Sequence, residues 1–137
     1  MGLPGSGKTE LAKVLIEQLQ FIDKSVAWFN ADAIRETYND WDFTHEGRLR
    51  QARRMKTLAS IAESDFTVCD FVAPLPEMRT LFDADYTIWM DTIQQGRFED
   101  TNKLFHPPEK YNLRLTDFNY SIKDICENLI HINNIIN

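Results

Sequence analysis

Apolar residues recur along this chain in two alternating rhythms. In "TELAKVLIEQLQ", Leu11, Leu15 and Leu19 fall at helical spacing with Val14 on the same side, which predicts a helix over residues 7–20. "SVAWFNAD" is a short apolar run that ends in polar groups, so a buried strand is expected over 25–30, with Asn30 and Asp32 at its carboxyl end. The long, proline-free stretch "THEGRLRQARRMKTLASIAES" places Leu49, Ala52, Met55, Ala59 and Ala62 on one helical face, with Thr44 as its N-cap. "DFTVCDFVAP" and "DYTIWMD" are continuous apolar runs, as strands covered on both faces by helices should be. A helix is expected over 75–83 after Pro74, an edge strand in "YNLRLT", and a closing helix in "SIKDICENLIHINNII" with Ile122, Ile125, Leu129 and Ile132 inward. "QQGRFEDTNKLFHPP" is polar and mixed and reads as a mobile helix–loop segment. Strand and helix alternate, so the fold class is α/β with a parallel sheet flanked by helices, in one domain over 1–137.

Composition narrows the setting. The chain is 43% hydrophobic and 26% charged, ordinary for a globular domain. Its formal net charge of -6 gives no basic excess for nucleic-acid phosphates, so no nucleic-acid partner is expected. Cys69 and Cys126 are far apart and lie in no metal-binding pattern, which suits a reducing cytoplasm. No apolar run approaches the ~18 residues of a membrane helix, so no membrane partner is expected either.

The chemistry begins at "GLPGSGKT". Gly2 to Thr9 fits G-x-x-x-x-G-K-[ST], a loop whose backbone N–H groups converge on nucleotide phosphates. Gly2, Gly5 and Gly7 free the backbone for that shape, Pro4 and Ser6 lie between them, Lys8 reaches the β- and γ-phosphates, and the Thr9 hydroxyl ligates Mg²⁺. ATP and Mg²⁺ are therefore the expected cofactors. Asp32 and Arg35 lie just past a predicted strand end, where open α/β sheets bind ligands. Arg48 and Gln51 follow on one helix face, a set able to orient a phosphate- or sulfate-bearing molecule. Arg50, Arg53, Arg54 and Lys56 read as a solvated face. Asp70 and Asp91 each end an apolar strand run, an outline that often helps hold Mg²⁺; Asp70 is the stronger metal candidate. Trp28 and Trp89 sit in strand patterns and read as core, whereas Trp41 divides evenly between loop and base stacking. His45, His106 and His131 receive no role.

Together "GLPGSGKT", "NADAIR", "DFTHEGRLRQARRM" and "APLPEMR" resemble, in order and spacing over about the first 80 residues, the adenylylsulfate kinases of sulfate assimilation. That resemblance implies a P-loop kinase moving the ATP γ-phosphate to the 3′-hydroxyl of adenylylsulfate. It implies Asp32, Arg35, Phe43, Arg48, Gln51 and Pro74 as substrate-binding positions, with Phe43 stacking on the adenine. Lys8 and Asp32 are the expected catalytic pair, and a homodimer is common in this family. Asn30 stands where the family has its first Asp, Ala31 where it has Gly, and Ala73 where it has Ser. Gln94 to Pro108 should be the lid, with Arg97 and Lys103 as its cations. Two alternatives stay open: a P-loop kinase for another small nucleotide or hydroxylated substrate, and a nucleotide-binding remnant without turnover. One anomaly accompanies them. A central strand should precede the loop, yet only Met1 does, so either a vacancy or closure by the flanking strands would result. The expectation is that the true start lies upstream and that Met1 is an internal methionine at that strand's end.

Overall fold

The computed structural model describes residues 1–136. Its elements run α1 (Lys8–Phe21), β1 (Val26–Asn30), α2 (Ala31–Tyr38), α3 (His45–Ile61), β2 (Phe66–Asp70), α4 (Pro76–Phe82), β3 (Ile88–Met90), α5 (Glu99–Leu104), β4 (Leu113–Leu115) and α6 (Ile122–Ile136). The alternating α/β plan anticipated from periodicity is present. Helix α1 starts on Gly7, whose φ of 96° only glycine adopts without strain. It buries Leu11, Ala12, Leu15 and Leu19 along one stripe. Helix α3 is capped as expected: the Thr44 side chain accepts from the Gly47 N–H.

Helix α2 was not foreseen. Eight residues, "ADAIRETY", bury only Arg35, so no apolar period announces them. The Asn30 side chain caps this helix by accepting from the Ala33 N–H at 3.0 Å, and Asn39 ends it in the left-handed region.

All strand pairing is parallel, but it forms two separate pairs. β1 and β2 run in register from Val26 opposite Phe66 to Asn30 opposite Asp70. β3 and β4 pair from Ile88–Leu113 to Met90–Leu115. Between β2 and β3 lies a slot of about 550 Å³, so the vacancy, not closure by flanking strands, is what the structure adopts. Met1 reaches into it. Its N–H donates to the Ile88 carbonyl at 2.7 Å, and its carbonyl accepts from the Met90 N–H at 2.8 Å.

The slot corrects one expectation. β1, expected to be buried, and β2, expected to be covered on both faces, are for the most part only half-buried. Trp28, read as core, is 38% exposed, whereas Trp89 is buried as anticipated. Two apolar clusters flank the slot. Leu49, Ala52 and Met55 of α3 pack with Phe71, Leu75 and Met78 on one side. Leu11, Leu15 and Leu19 of α1 pack with Met90, Ile125 and Cys126 on the other. Both cysteines are free thiols. No helix among the described residues is long and apolar enough to cross a membrane.

Candidate phosphate and substrate site

The phosphate loop bends on three positive-φ glycines, Gly2, Gly5 and Gly7. A Cβ on Gly2 would lie 2.6 Å from the Met90 carbonyl oxygen, so the loop is pressed against β3. Ser6 is fully buried, and its Oγ has no hydrogen-bond partner among the described residues. The Thr92 hydroxyl donates to the Ser6 carbonyl at 2.7 Å and ties the loop to the chain after β3. Lys8 folds back, its Nζ donating to the Leu3 carbonyl at 3.1 Å. Burial lowers the Lys8 pKa, partly offset by the Asp70 and Asp32 carboxylates. Asp32, exposed on the first turn of α2, lies within electrostatic reach of the loop lysine.

Asp70 is the hub of the loop's far side. Its buried carboxylate accepts from Trp28 Nε1 at 3.0 Å, from Asn30 Nδ2 at 3.1 and 3.2 Å, and from Thr9 Oγ1 at 3.4 Å. The parallel register explains this convergence, since Asn30 and Asp70 end adjacent strands as direct partners. Asn30 and Trp28 were not foreseen as Asp70 partners; only the register, invisible in a linear sequence, brings them there.

Thr9 and Asp70 also pass a test for Mg²⁺. The ion prefers hard oxygen ligands, one or two of them carboxylates, with water and phosphate completing the octahedron. A hydroxyl beside one carboxylate suits that habit, and no larger cluster of metal-binding side chains exists among the described residues. Asp91, the other strand-end acid, is engaged elsewhere: Arg114 donates to it from Nε at 2.9 Å and from Nη2 at 2.5 Å.

The second half of the site is basic. Arg35 and Arg48 are buried to 4% and 7% exposure although both are guanidinium groups. Arg35 Nη1 donates to the Asp40 and Asp42 carbonyls, and Arg48 Nε donates to the Phe43 carbonyl. Burial lowers both pKa values, with Asp100 of α5 partly compensating Arg48. Their guanidinium carbons lie 4.3 and 5.3 Å from the centroid of the Phe43 ring. That ring remains 50% exposed, with Trp41 at 6.4 Å between centroids, so an aromatic surface stands open beside two cations. Among the described residues no carboxylate side chain hydrogen-bonds Arg35 or Arg48, which leaves guanidinium N–H groups for an anion.

Other anticipated residues take different posts. Gln51 is buried and donates to the Ala31 carbonyl while accepting from Arg54 Nη1, so its amide locks α2 to α3. Pro74 is fully buried, its carbonyl accepting from the His106 N–H. The solvated face is corrected for one residue: Arg54 is largely covered, donating to Asp40 and lying over the Tyr38 ring, whereas Arg50 stays exposed while forming a fork with Asp40 and Asp42. These pairs fix the loop that carries Phe43. Arg97 lies within electrostatic reach of Lys8, whereas Lys103 is exposed and paired with Glu99. His45, given no role, pairs with Glu77 at 3.0 Å.

Two unpredicted residues frame the site. Arg79 donates to the Ala73, Pro74 and His106 carbonyls and so joins the strand end to the base of the lid segment. The Phe118 ring lies against Gly7, 2.7 Å from where a Cβ would stand. Arg79 closes the quoted "APLPEMR" stretch but was given no role there, and no motif marked Phe118.

Comparison with known proteins places this geometry. A protein from Aeropyrum pernix described as a probable adenylyl-sulfate kinase is 35% identical over 83 residues, 58% of this chain and 45% of that protein. The match therefore spans about half the length of that relative. The solved structure of the Mycobacterium tuberculosis APS kinase in complex with AMPPNP and APS superimposes with a TM-score of 0.74 at 20% identity, covering 96% of this chain and 93% of that one. A hexameric APS kinase from Thiobacillus denitrificans gives a TM-score of 0.66 at 19% identity, covering 98% of this chain and 28% of that one. The family model for adenylylsulphate kinase matches residues 1–92, well over half of the chain, and the chain belongs to that family.

Proposed function

We propose that this protein transfers the γ-phosphate of ATP to the 3′-hydroxyl of adenylylsulfate or a closely similar nucleotide. The observation that carries this reading is the placement of the phosphate loop, Asp32 and the Arg35–Phe43–Arg48 cluster at the carboxyl ends of parallel strands. The loop amides and Lys8 would hold the ATP phosphates, with Lys8 leaving the Leu3 carbonyl to do so. Thr9 and Asp70 would hold Mg²⁺, which neutralises charge on the phosphates when bound. The adenine of the acceptor would stack on the open face of Phe43, and its anionic group would meet Arg35 and Arg48. Asp32, exposed and close to Lys8, would orient the acceptor hydroxyl and accept its proton. Phosphoryl transfer needs chiefly alignment and charge neutralisation, which these groups supply. Residues 94–108, with Arg97 and Lys103, would cover ATP as a lid. The reading also supports a soluble cytoplasmic enzyme that works as a homodimer.

The test is ADP release with ATP–Mg²⁺ and a panel of acceptors. Adenylylsulfate should give the highest kcat/KM, and Lys8→Ala should lower turnover by about 10²-fold or more. An intact rate in Lys8→Ala would refute the site. A second reading, a kinase for another small hydroxylated substrate, rests on Asn30, which puts a neutral amide between Asp70 and α2; a different preferred acceptor would establish it. A third, nucleotide binding without turnover, rests on the open slot beside the loop, and ATP binding with no ADP release on any acceptor would favour it.

A further inference from the structure

We propose that Trp28 and Asn30 are positioning residues for the metal: they tie down one oxygen of the Asp70 carboxylate, so that the other alone is left to serve Mg²⁺ beside Thr9. This role presupposes that Thr9 and Asp70 hold the ion, as proposed above. It adds two residues of β1 that lie outside the phosphate motif.

An ionised carboxylate offers about four lone-pair positions, two on each oxygen. Asp70 Oδ2 accepts from Trp28 Nε1 at 3.0 Å and from Asn30 Nδ2 at 3.1 Å, so both of its positions are filled. Oδ1 accepts from Asn30 Nδ2 at 3.2 Å, and its other position takes the Thr9 hydroxyl at 3.4 Å. The Thr9 contact is the longest of the four and a hydroxyl can rotate, so Oδ1 is the oxygen free to open to a cation. One carboxylate oxygen beside one hydroxyl suits an ion that demands octahedral geometry and keeps several of its waters.

Both clamping groups are themselves held. The Asn30 carbonyl oxygen accepts from the Ala33 N–H at 3.0 Å, so its NH₂ group must face Asp70. Register sets Asn30 opposite Asp70, and Trp28, two residues earlier on the same face of β1, reaches the same carboxylate. Asp70 is only 6% exposed, yet no cationic side chain forms an ion pair with it among the described residues. Buried carboxylates are normally paired with a cation or bound to a metal. Outer partners that orient such a carboxylate are worth about 10–100-fold in metal affinity.

Binding rather than turnover tests the clamp. Mg²⁺ is titrated into the ADP complex of the full chain, of Trp28→Phe and of Asp70→Asn, and ADP affinity is measured separately in EDTA. Trp28→Phe keeps an aromatic ring and removes the N–H. It should raise the half-saturating Mg²⁺ concentration about tenfold, with ADP affinity in EDTA kept within twofold. In the unaltered chain the Trp28 indole N–H proton resonance, identified by its loss in Trp28→Phe, should move as Mg²⁺ is added. That of Trp89, packed against Tyr111, should stay in place. An unchanged half-saturation point in Trp28→Phe, an equal loss of ADP affinity in EDTA, or a Trp28 proton that Mg²⁺ leaves unmoved would overturn the clamp alone. Failure of Mg²⁺ to bind the ADP complex, or a titration that Asp70→Asn leaves unaltered, would overturn the metal reading and the clamp with it.

Discussion

At the scale of single residues, Met1 shows what a vacancy in a sheet does to one charge. Its ammonium group sits against the Ile88 carbonyl with Lys8 and Arg79 near and Asp70 opposing them, and burial pulls its pKa from 8.0 to about 5. The unfolded chain therefore holds more protons than the folded one between those values, and stability rises with pH across that window. The difference between 8.0 and about 5 corresponds to at most about 4 kcal/mol. Urea midpoints should climb from pH 5 to pH 8, and acetylating the Met1 nitrogen should flatten the rise; a profile untouched by acetylation would contradict it. The Cys69 thiol, pushed up to about 12 by burial and then by Asp70, stays protonated throughout. Much of the site was legible at this scale. Gly7, Lys8, Thr9, Asp32, Arg35 and Arg48 declare themselves through residue type and spacing. Gln51 and Arg54 did not, because their posts depend on Ala31 and Asp40, which lie far away in sequence.

At the scale of elements, the loop between α2 and α3 decides the acceptor half of the site. Arg50 and Arg54 hold the Asp40 carboxylate, and the Asp40 and Asp42 carbonyls hold Arg35. The first turn of α3 presses directly on this loop: a Cβ on Gly47 would stand 2.3 Å from the Asp42 carbonyl oxygen. Gly47→Ala must displace that carbonyl and loosen Arg35. We expect it to cost about 1–3 kcal/mol in unfolding free energy. It should also raise the KM for the acceptor while leaving ATP affinity near its original value; a rise in Kd for ATP alone would refute this division of labour. Long periodic elements such as α1 and α3 were plain from sequence because their apolar stripes span several turns. Helix α2 escaped because its one buried side chain is an arginine, and β3 and β4 shrank to three residues each.

At the scale of the whole molecule, the two apolar clusters meet across two strand pairs that share no ladder among the described residues. One is built chiefly on α3, α4 and the chain after β2, the other on α1, β3, β4 and α6 with Val26 of β1 and Phe66 of β2 packed against it. Cooperative opening follows contiguous packing, so native-state hydrogen exchange should resolve two groups of amides with different opening free energies. A single common value for core amides in β2 and β3 would show that packing across the slot already unites them. The sequence disclosed the alternation that builds this fold and raised the question of the strand before Gly2. It could not disclose the answer, because whether neighbouring strands close a gap depends on helix packing above and below the sheet.

The open strand edges of β2 and β3 have one more consequence, for handling the protein in solution. Unpaired, apolar edges are templates for joining other chains, and sheets normally blunt them with charge, proline or cover. "FTVC" in β2 contains neither a charge nor a proline, and its partner edge "IWM" is the same. Edge-to-edge pairing of this kind is therefore the association to test for by light scattering across a concentration series before the protein is handled as a single species.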